Sequence, residues 1–198
     1  MSTKKILTFL TFTIIFFSCV SKAYSIEADV FIQSVVNRAA KTLGGNLSKN
    51  ERIEKLKDIA RETVDIDGIG RYTLGSYKKK ITDNQMIEYK VLFRQYFLKT
   101  FSSRLAEYSN PEIEVISKKK LNENYTIVSS ILVSTDKRPE VKIDWRVSTK
   151  NPENLLIMNL VIEGLSLART QKEEFASIIE NNDGDINALF STLKKFAK

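Results

Sequence analysis

Near residue 110 the apolar residues of this chain change their spacing, and that switch limits the possible folds more than any single motif. Before it they recur with a helical period. Val30, Phe31, Val35, Ala39 and Leu43 line one face of a segment over 27–43, which Gly44-Gly45 ends. Ser48-Lys49-Asn50-Glu51 is a capping box, in which serine and glutamate satisfy backbone N–H groups at a helix start. It opens a second helix through Ile53, Leu56, Ile59 and Ala60, interrupted at Asp65-Ile66-Asp67-Gly68. A short helix through Ile69, Tyr72 and Leu74 follows, with Asp67 as its expected cap and Gly75 near its end. A second capping box, Thr82-Asp83-Asn84-Gln85, launches the longest helix, to about Glu107. After the switch the period is two. Ile113/Val115, Tyr125/Ile127/Ile131/Val133 and Val141/Ile143/Trp145/Val147 alternate with polar residues, as in strands covered on one face. Asn122-Glu123-Asn124 and Asp136-Lys137-Arg138-Pro139 occupy the hairpin positions. Leu155 to Ile162 is apolar on nearly both faces, which predicts a strand buried on both sides. Helical segments over 167–181 and 185–196, separated by Asn182-Asp183-Gly184, close the chain. The order predicts an α+β domain: N-terminal helices, an antiparallel four-stranded sheet, then C-terminal helices packed on it.

The first residues read as an export signal. Lys4 and Lys5 precede an apolar core from Ile6 to Phe17, and Ser21-Lys22-Ala23 offers small residues for a peptidase. That core is shorter than the roughly 20 residues a membrane span requires. The expected products are a signal peptide over 1–23 and a single mature domain over 24–198, soluble in the periplasm. Phe16-Phe17-Ser18-Cys19 raises the alternative of a lipobox with Cys19 as the lipidated residue. A cut after Ala23 removes Cys19, the one cysteine, from a chain that has no histidine at all. Thiol nucleophiles, histidine bases and Cys/His zinc sites are then excluded, and carboxylates remain the main catalytic option. The same cut lowers the formal charge of +7 by three lysines. So mild a balance favours reading Lys78-Lys79-Lys80 and Lys118-Lys119-Lys120 as solvated turn and strand residues over a nucleic-acid surface.

Three patterns invite chemical readings. Gly164-Leu165-Ser166-Leu167-Ala168 falls one glycine short of the elbow that presents a nucleophilic serine, and no base accompanies it. Asp65 and Asp67 lack the further oxygen ligands and distal glutamate of a calcium loop. Glu112 and Glu114 share a strand face that alternates with Ile113 and Val115, which places them toward solvent. The unusual element is the long helix. Met86, Tyr89, Leu92, Phe93, Tyr96, Phe97, Phe101, Leu105 and Tyr108 make a broad, aromatic apolar face. Opposite it are expected Ile127, Ile131, Val141, Ile143, Trp145, Leu156, Met158 and Leu160. Two such layers either meet as a solid core or enclose a cavity, and composition is compatible with both.

Several separated stretches resemble one family. They are Asp67-x-x-Gly70-Arg71-x-x-Leu74-Gly75, Tyr96-Phe97-Leu98-Lys99-Thr100-Phe101-Ser102-Ser103-x-Leu105-x-x-Tyr108, and Val161-Ile162-Glu163-Gly164-Leu165-Ser166-Leu167 followed by Phe175. In this order they are similar to the toluene-tolerance (MlaC) family of exported phospholipid-binding proteins, over roughly residues 27–196. Within that pattern Gly164 accommodates a turn and Ser166 caps the last-strand-to-helix passage. Tyr77, Asn159, Gln171 and Lys172 depart from the residues frequent in the family. The resemblance implies a non-enzymatic periplasmic carrier moving phospholipid between inner and outer membrane to maintain outer-membrane asymmetry. It implies no cofactor beyond phospholipid cargo, and no nucleic acid. The implied partners are an inner-membrane lipid ABC transporter complex and an outer-membrane lipoprotein complex. The lipid pocket is expected between helices and sheet, walled by Tyr72, Leu74, Phe93, Tyr96, Phe97, Phe101, Ile127, Ile143, Trp145 and Met158. The rival readings are a carboxylate-dependent exported enzyme on a cone-shaped α+β fold and an adaptor with a solid core.

Overall fold

The computed structural model describes residues 26–136 and 138–197. The export signal and Cys19 lie outside the described residues. Helices α1 (Ala28–Gly44), α2 (Lys49–Thr63), α3 (Ile66–Thr73) and α4 (Asp83–Leu105) come first, with a 3-10 turn over Gly75–Lys79 between the last two. Both capping boxes form: Ser48 accepts from the Glu51 N–H and Thr82 from the Gln85 N–H, with reciprocal side-chain bonds. The cap of α3 is Asp65, not Asp67. Asp65 accepts the Gly68 N–H at 2.9 Å, while Asp67 lies inside the first turn and pairs with Arg94 at 2.7 Å. Position decides it, because Asp65 is drawn into the sheet end by the Asp65 N–H to Ile157 carbonyl bond and therefore precedes the helix.

Strands β1 (Ile113–Asn122), β2 (Tyr125–Leu132), β3 (Val141–Ser148) and β4 (Leu156–Ile162) form an antiparallel meander. A two-residue strand β5 (Leu165–Ser166) adds a fifth member that was not expected. Glu163 and Gly164 both adopt positive φ, 48° and 80°, the geometry that folds a two-residue hairpin tightly enough for Ile162 to pair with Leu165. Helices α5 (Leu167–Glu180) and α6 (Ile186–Ala197) complete the domain.

The helices share one side of the sheet unevenly. α1 lies along β1 and β2, and α3 and α5 lie against β4, whereas α4 makes its main approaches to α2, α3 and α6. One large core joins them, with Val128, Leu132, Ile143, Trp145, Val147 and Ile157 from the strands meeting Ile32, Val36, Phe93, Phe175 and Leu193 from the helices. β4 was expected to be buried on both faces. In the run from Leu155 to Ile162 only Leu155 and Ile157 are fully buried, and the other residues are half-buried. Among the described residues no helix is long and apolar enough to cross a membrane.

Candidate functional site

The aromatic face of α4 begins deep in the protein. Tyr89 and Phe93 are buried, with rings 5.7 Å apart, and Phe190 of α6 stacks on Tyr89 at 6.3 Å. The Tyr89 hydroxyl donates to the Gly70 carbonyl at 3.1 Å and meets the Thr73 hydroxyl at 2.8 Å. Burial pushes the Tyr89 phenol well above its ordinary value, the Thr73 bond opposing only part of this, so it remains a protonated donor. Gly70 permits this approach of α3. A Cβ there would stand 2.6 Å from Cδ1 of Phe93.

Farther along α4 the aromatic side chains are less buried, although Leu98 and Ser102 remain fully buried. Phe93 leads to Phe97 at 6.1 Å, and Phe97 stacks on Phe101 at 5.3 Å with rings 13° from parallel. Both are half-buried against the core. To one side Phe93 and Tyr96 contact Phe175 of α5, and Phe196 of α6 meets Tyr96 edge-on at 5.5 Å. The Tyr96 hydroxyl donates to Gln171 at 2.8 Å, and burial followed by the Glu174 charge raises its pKa. Gln171 thus has a definite partner at a position where the sequence departs from the family pattern.

The opposing wall comes from β2 and β3. Val128 pairs across from Trp145, and Ser130 from Ile143, so these four side chains share the inner face. The Trp145 indole N–H donates to Ser130 Oγ at 2.8 Å, and that hydroxyl donates to the Ile143 carbonyl at 3.3 Å. A polar group inside an apolar wall is thereby fully used.

Seven of the residues expected around a pocket therefore converge on this core: Leu74, Phe93, Tyr96, Phe97, Phe101, Ile143 and Trp145. The structure places the other three elsewhere. Ile127 pairs with Lys119 and Arg146 on the outer face, one residue out of phase with the buried set Thr126, Val128, Ser130 and Leu132. Ile131 shares that outer face. Tyr72 is 47% exposed and lies under the Lys172 ammonium. Met158 is the unpaired residue where the β3–β4 register shifts, and it stays half-buried outside the core cluster. Reading inward on both parities of β2 would have found Val128 and Leu132. Tyr89 and Phe175 belong to the core although their spacing alone does not place them in the wall.

Two surface grooves lie away from the aromatic face, one of about 540 Å³ between α1 and the start of β1 and one of about 260 Å³ at the start of α3. Ser166 has a structural task. Its Oγ accepts the Arg169 N–H at 3.3 Å and the Asn159 amide at 2.9 Å, while Asn159 also accepts the Ala168 N–H at 3.1 Å. Asn159 and Ser166 together fasten the last long strand to the start of α5. The described residues bring no base to that hydroxyl and hold no cluster of metal-binding side chains.

Fold and interior define an α+β protein whose helices close an aromatic face over one side of an antiparallel sheet. The family described as MlaC protein matches residues 32–195, and the chain belongs to that family. A curated relative, the toluene tolerance protein ttg2D of Pseudomonas putida, is 21% identical over 139 residues. That match spans 70% of this chain and 64% of the relative's own length. Among solved structures, the phospholipid-binding protein from Ralstonia solanacearum in complex with a phospholipid superposes with a TM-score of 0.72 at 19% identity. The match covers 87% of this chain and 97% of that one, which establishes a shared fold.

Proposed function

We propose that the protein is a non-enzymatic phospholipid carrier, exported by cleavage after Ala23 and working in the periplasm between inner and outer membrane. Its role there is to maintain outer-membrane lipid asymmetry, with an inner-membrane ABC transporter complex and an outer-membrane lipoprotein complex as partners. The observation that carries this reading is the seam between α4 and the sheet. The rings pass from fully buried Phe93 to half-buried Phe97 and Phe101, and Ile143 and Trp145 of the sheet belong to the same core. Membership of the MlaC family and the phospholipid held by the Ralstonia solanacearum protein support it.

Acyl chains would enter by parting the seam at its half-buried end. Each methylene moved from water into such a place contributes about 0.8 kcal/mol, so a lipid is held firmly against loss to water. A bilayer offers nearly the same apolar surroundings, so loading and release lie close to balance. Direction then comes from partners that open or close the seam. Organic extraction of the purified mature protein, followed by mass spectrometry, tests the reading. About one phospholipid per folded chain is the expected result, and a lipid-free protein that acquires none from vesicles refutes it.

A further inference from the structure

The aromatic stripe of α4 does not stop at Phe101. Tyr108 lies just past the end of α4, and it packs both on the main core and on the smaller cluster of Leu43, Leu56 and Ala106. Over its ring, 5.3 Å from the centroid, sits the guanidinium of Arg138. The β2–β3 connection delivers it there, closed by reciprocal backbone bonds between Thr135 and Arg138. One guanidinium nitrogen, Nη2, donates to the Val133 carbonyl at 3.3 Å. Its Nε is buried and has no hydrogen-bond partner among the described residues.

This cation is treated differently from others near the helices. Arg38 pairs with Glu62 and Arg94 with Asp67 at 2.5 and 2.7 Å, yet Arg138, itself half-buried, has no carboxylate partner among the described residues. A half-buried charge held only by a ring and a carbonyl oxygen is incompletely compensated. Arg52 also has an orphan Nε, but it is tied to the Gly45 carbonyl at the α1–α2 turn and stacks on no ring of the stripe. A guanidinium presents five N–H donors in a planar fork suited to phosphate oxygens. The order from α4 to the β2–β3 connection is thus dry apolar, half-buried aromatic, then a cation without a carboxylate partner among the described residues. A phospholipid has the same order from chain end to headgroup.

We propose that Arg138, seated on Tyr108, is the anion-binding end of the seam and takes the phosphate of the bound phospholipid. The inference rests on the carrier reading above and adds the chemical group that this protein recognises. Phosphate chemistry is common to a lipid headgroup and the free ion, so the test includes both.

Wild type, Arg138→Gln and Arg138→Lys are incubated with vesicles containing equal amounts of phosphatidylglycerol and chain-matched diacylglycerol. Native mass spectrometry then counts each lipid per folded protein. A charge-assisted, two-pronged contact predicts about a tenfold preference of wild type for the phosphate-bearing lipid. Lysine should retain part of it, and glutamine should abolish it while diacylglycerol uptake stays unchanged. Arg138→Gln with the wild-type preference overturns the inference and leaves the carrier reading standing. Equal loss of both lipids in both variants makes Arg138 a loop latch and also overturns it. Inorganic phosphate that raises the wild-type melting temperature through Arg138, without any Arg138-dependent lipid preference, assigns the site to the free ion and refutes the lipid role. Uptake of neither lipid by wild type fails the carrier reading itself.

Discussion

Replacing Gly70 by alanine opposes two effects of similar size. Gly70 lies within α3, where alanine would ordinarily stabilise a helix by about 1 kcal/mol. Here the new methyl would stand 2.6 Å from Phe93 Cδ1 and 3.1 Å from its Cγ and Cε1, all closer than ordinary contact. Phe93 has little freedom to yield. Its ring is 2% exposed and is hemmed by Tyr89, Tyr96, Phe97 and Phe175. Overpacking of this kind costs about 1–3 kcal/mol. If α3 retreats instead, the Tyr89 bond to the Gly70 carbonyl stretches, at about 1 kcal/mol more for a buried donor. The expected net result is a loss of up to about 2 kcal/mol, a fall in Tm of roughly 2–4 °C per kcal/mol in a domain of this size. Urea unfolding followed by circular dichroism measures it. In a Phe93→Ala background, which lacks the Cγ, Cδ1 and Cε1 atoms the methyl would meet, the same change should cost less. A Gly70→Ala protein more stable than its parent would falsify the close-approach argument.

Further outcomes follow from the same contacts. Ser166→Ala removes the acceptor for Arg169 and Asn159, so thermal unfolding should show a loss of about 1 kcal/mol with lipid content unchanged; lost lipid at full stability would contradict a capping role. Ser130→Ala leaves the buried Trp145 indole N–H without its partner, and chemical denaturation should register about 1–3 kcal/mol. Ile143→Trp should exclude lipid from a protein that still folds, measured as phospholipid per folded chain beside a thermal melt; unfolding, with no lipid on the parent, would mean a solid core. Asp29 is held below the usual carboxylate range chiefly by its bond to Lys118. Its contribution is therefore present above the ordinary Asp pKa and disappears as pH falls through the lowered one. Asp29→Asn should flatten the acid limb of the stability curve by a few tenths of a kcal/mol, less in high salt because the pair is exposed.

The helical half was legible because its signals are local. A capping box is written within four residues, and both boxes form at the expected positions. Strand β2 shows why the sheet was harder to read. Thr126, Val128, Ser130 and Leu132 face inward while Tyr125, Ile127 and Ile131 face out, so the more apolar set occupies the more exposed side. A shift of one residue exchanges the faces completely. Ser130 can lie inside because Trp145, fifteen residues away, supplies its partner, and no pattern within β2 reveals that bond. Asp65 is hard to read as a cap for a similar reason, since its position depends on the carbonyl of Ile157. The site followed the same division. Spacing grouped Phe93, Phe97 and Phe101 correctly, whereas Ile127, Tyr72 and Met158 depended on register, helix phase and a bulge.

The position of α4 bears on how this molecule can change volume. Its main approaches are to other helices, and the strands' ladder bonds run among themselves. Widening the interval between them therefore severs no backbone hydrogen bond on either side. If lipid enters as proposed, the interior would swell as a bellows does, by sliding greasy surfaces apart while both stiff walls keep their shape. Amide exchange in β2, β3 and α4 should accordingly stay slow on filling, whereas methyl resonances of Leu132 and Ile143 should move.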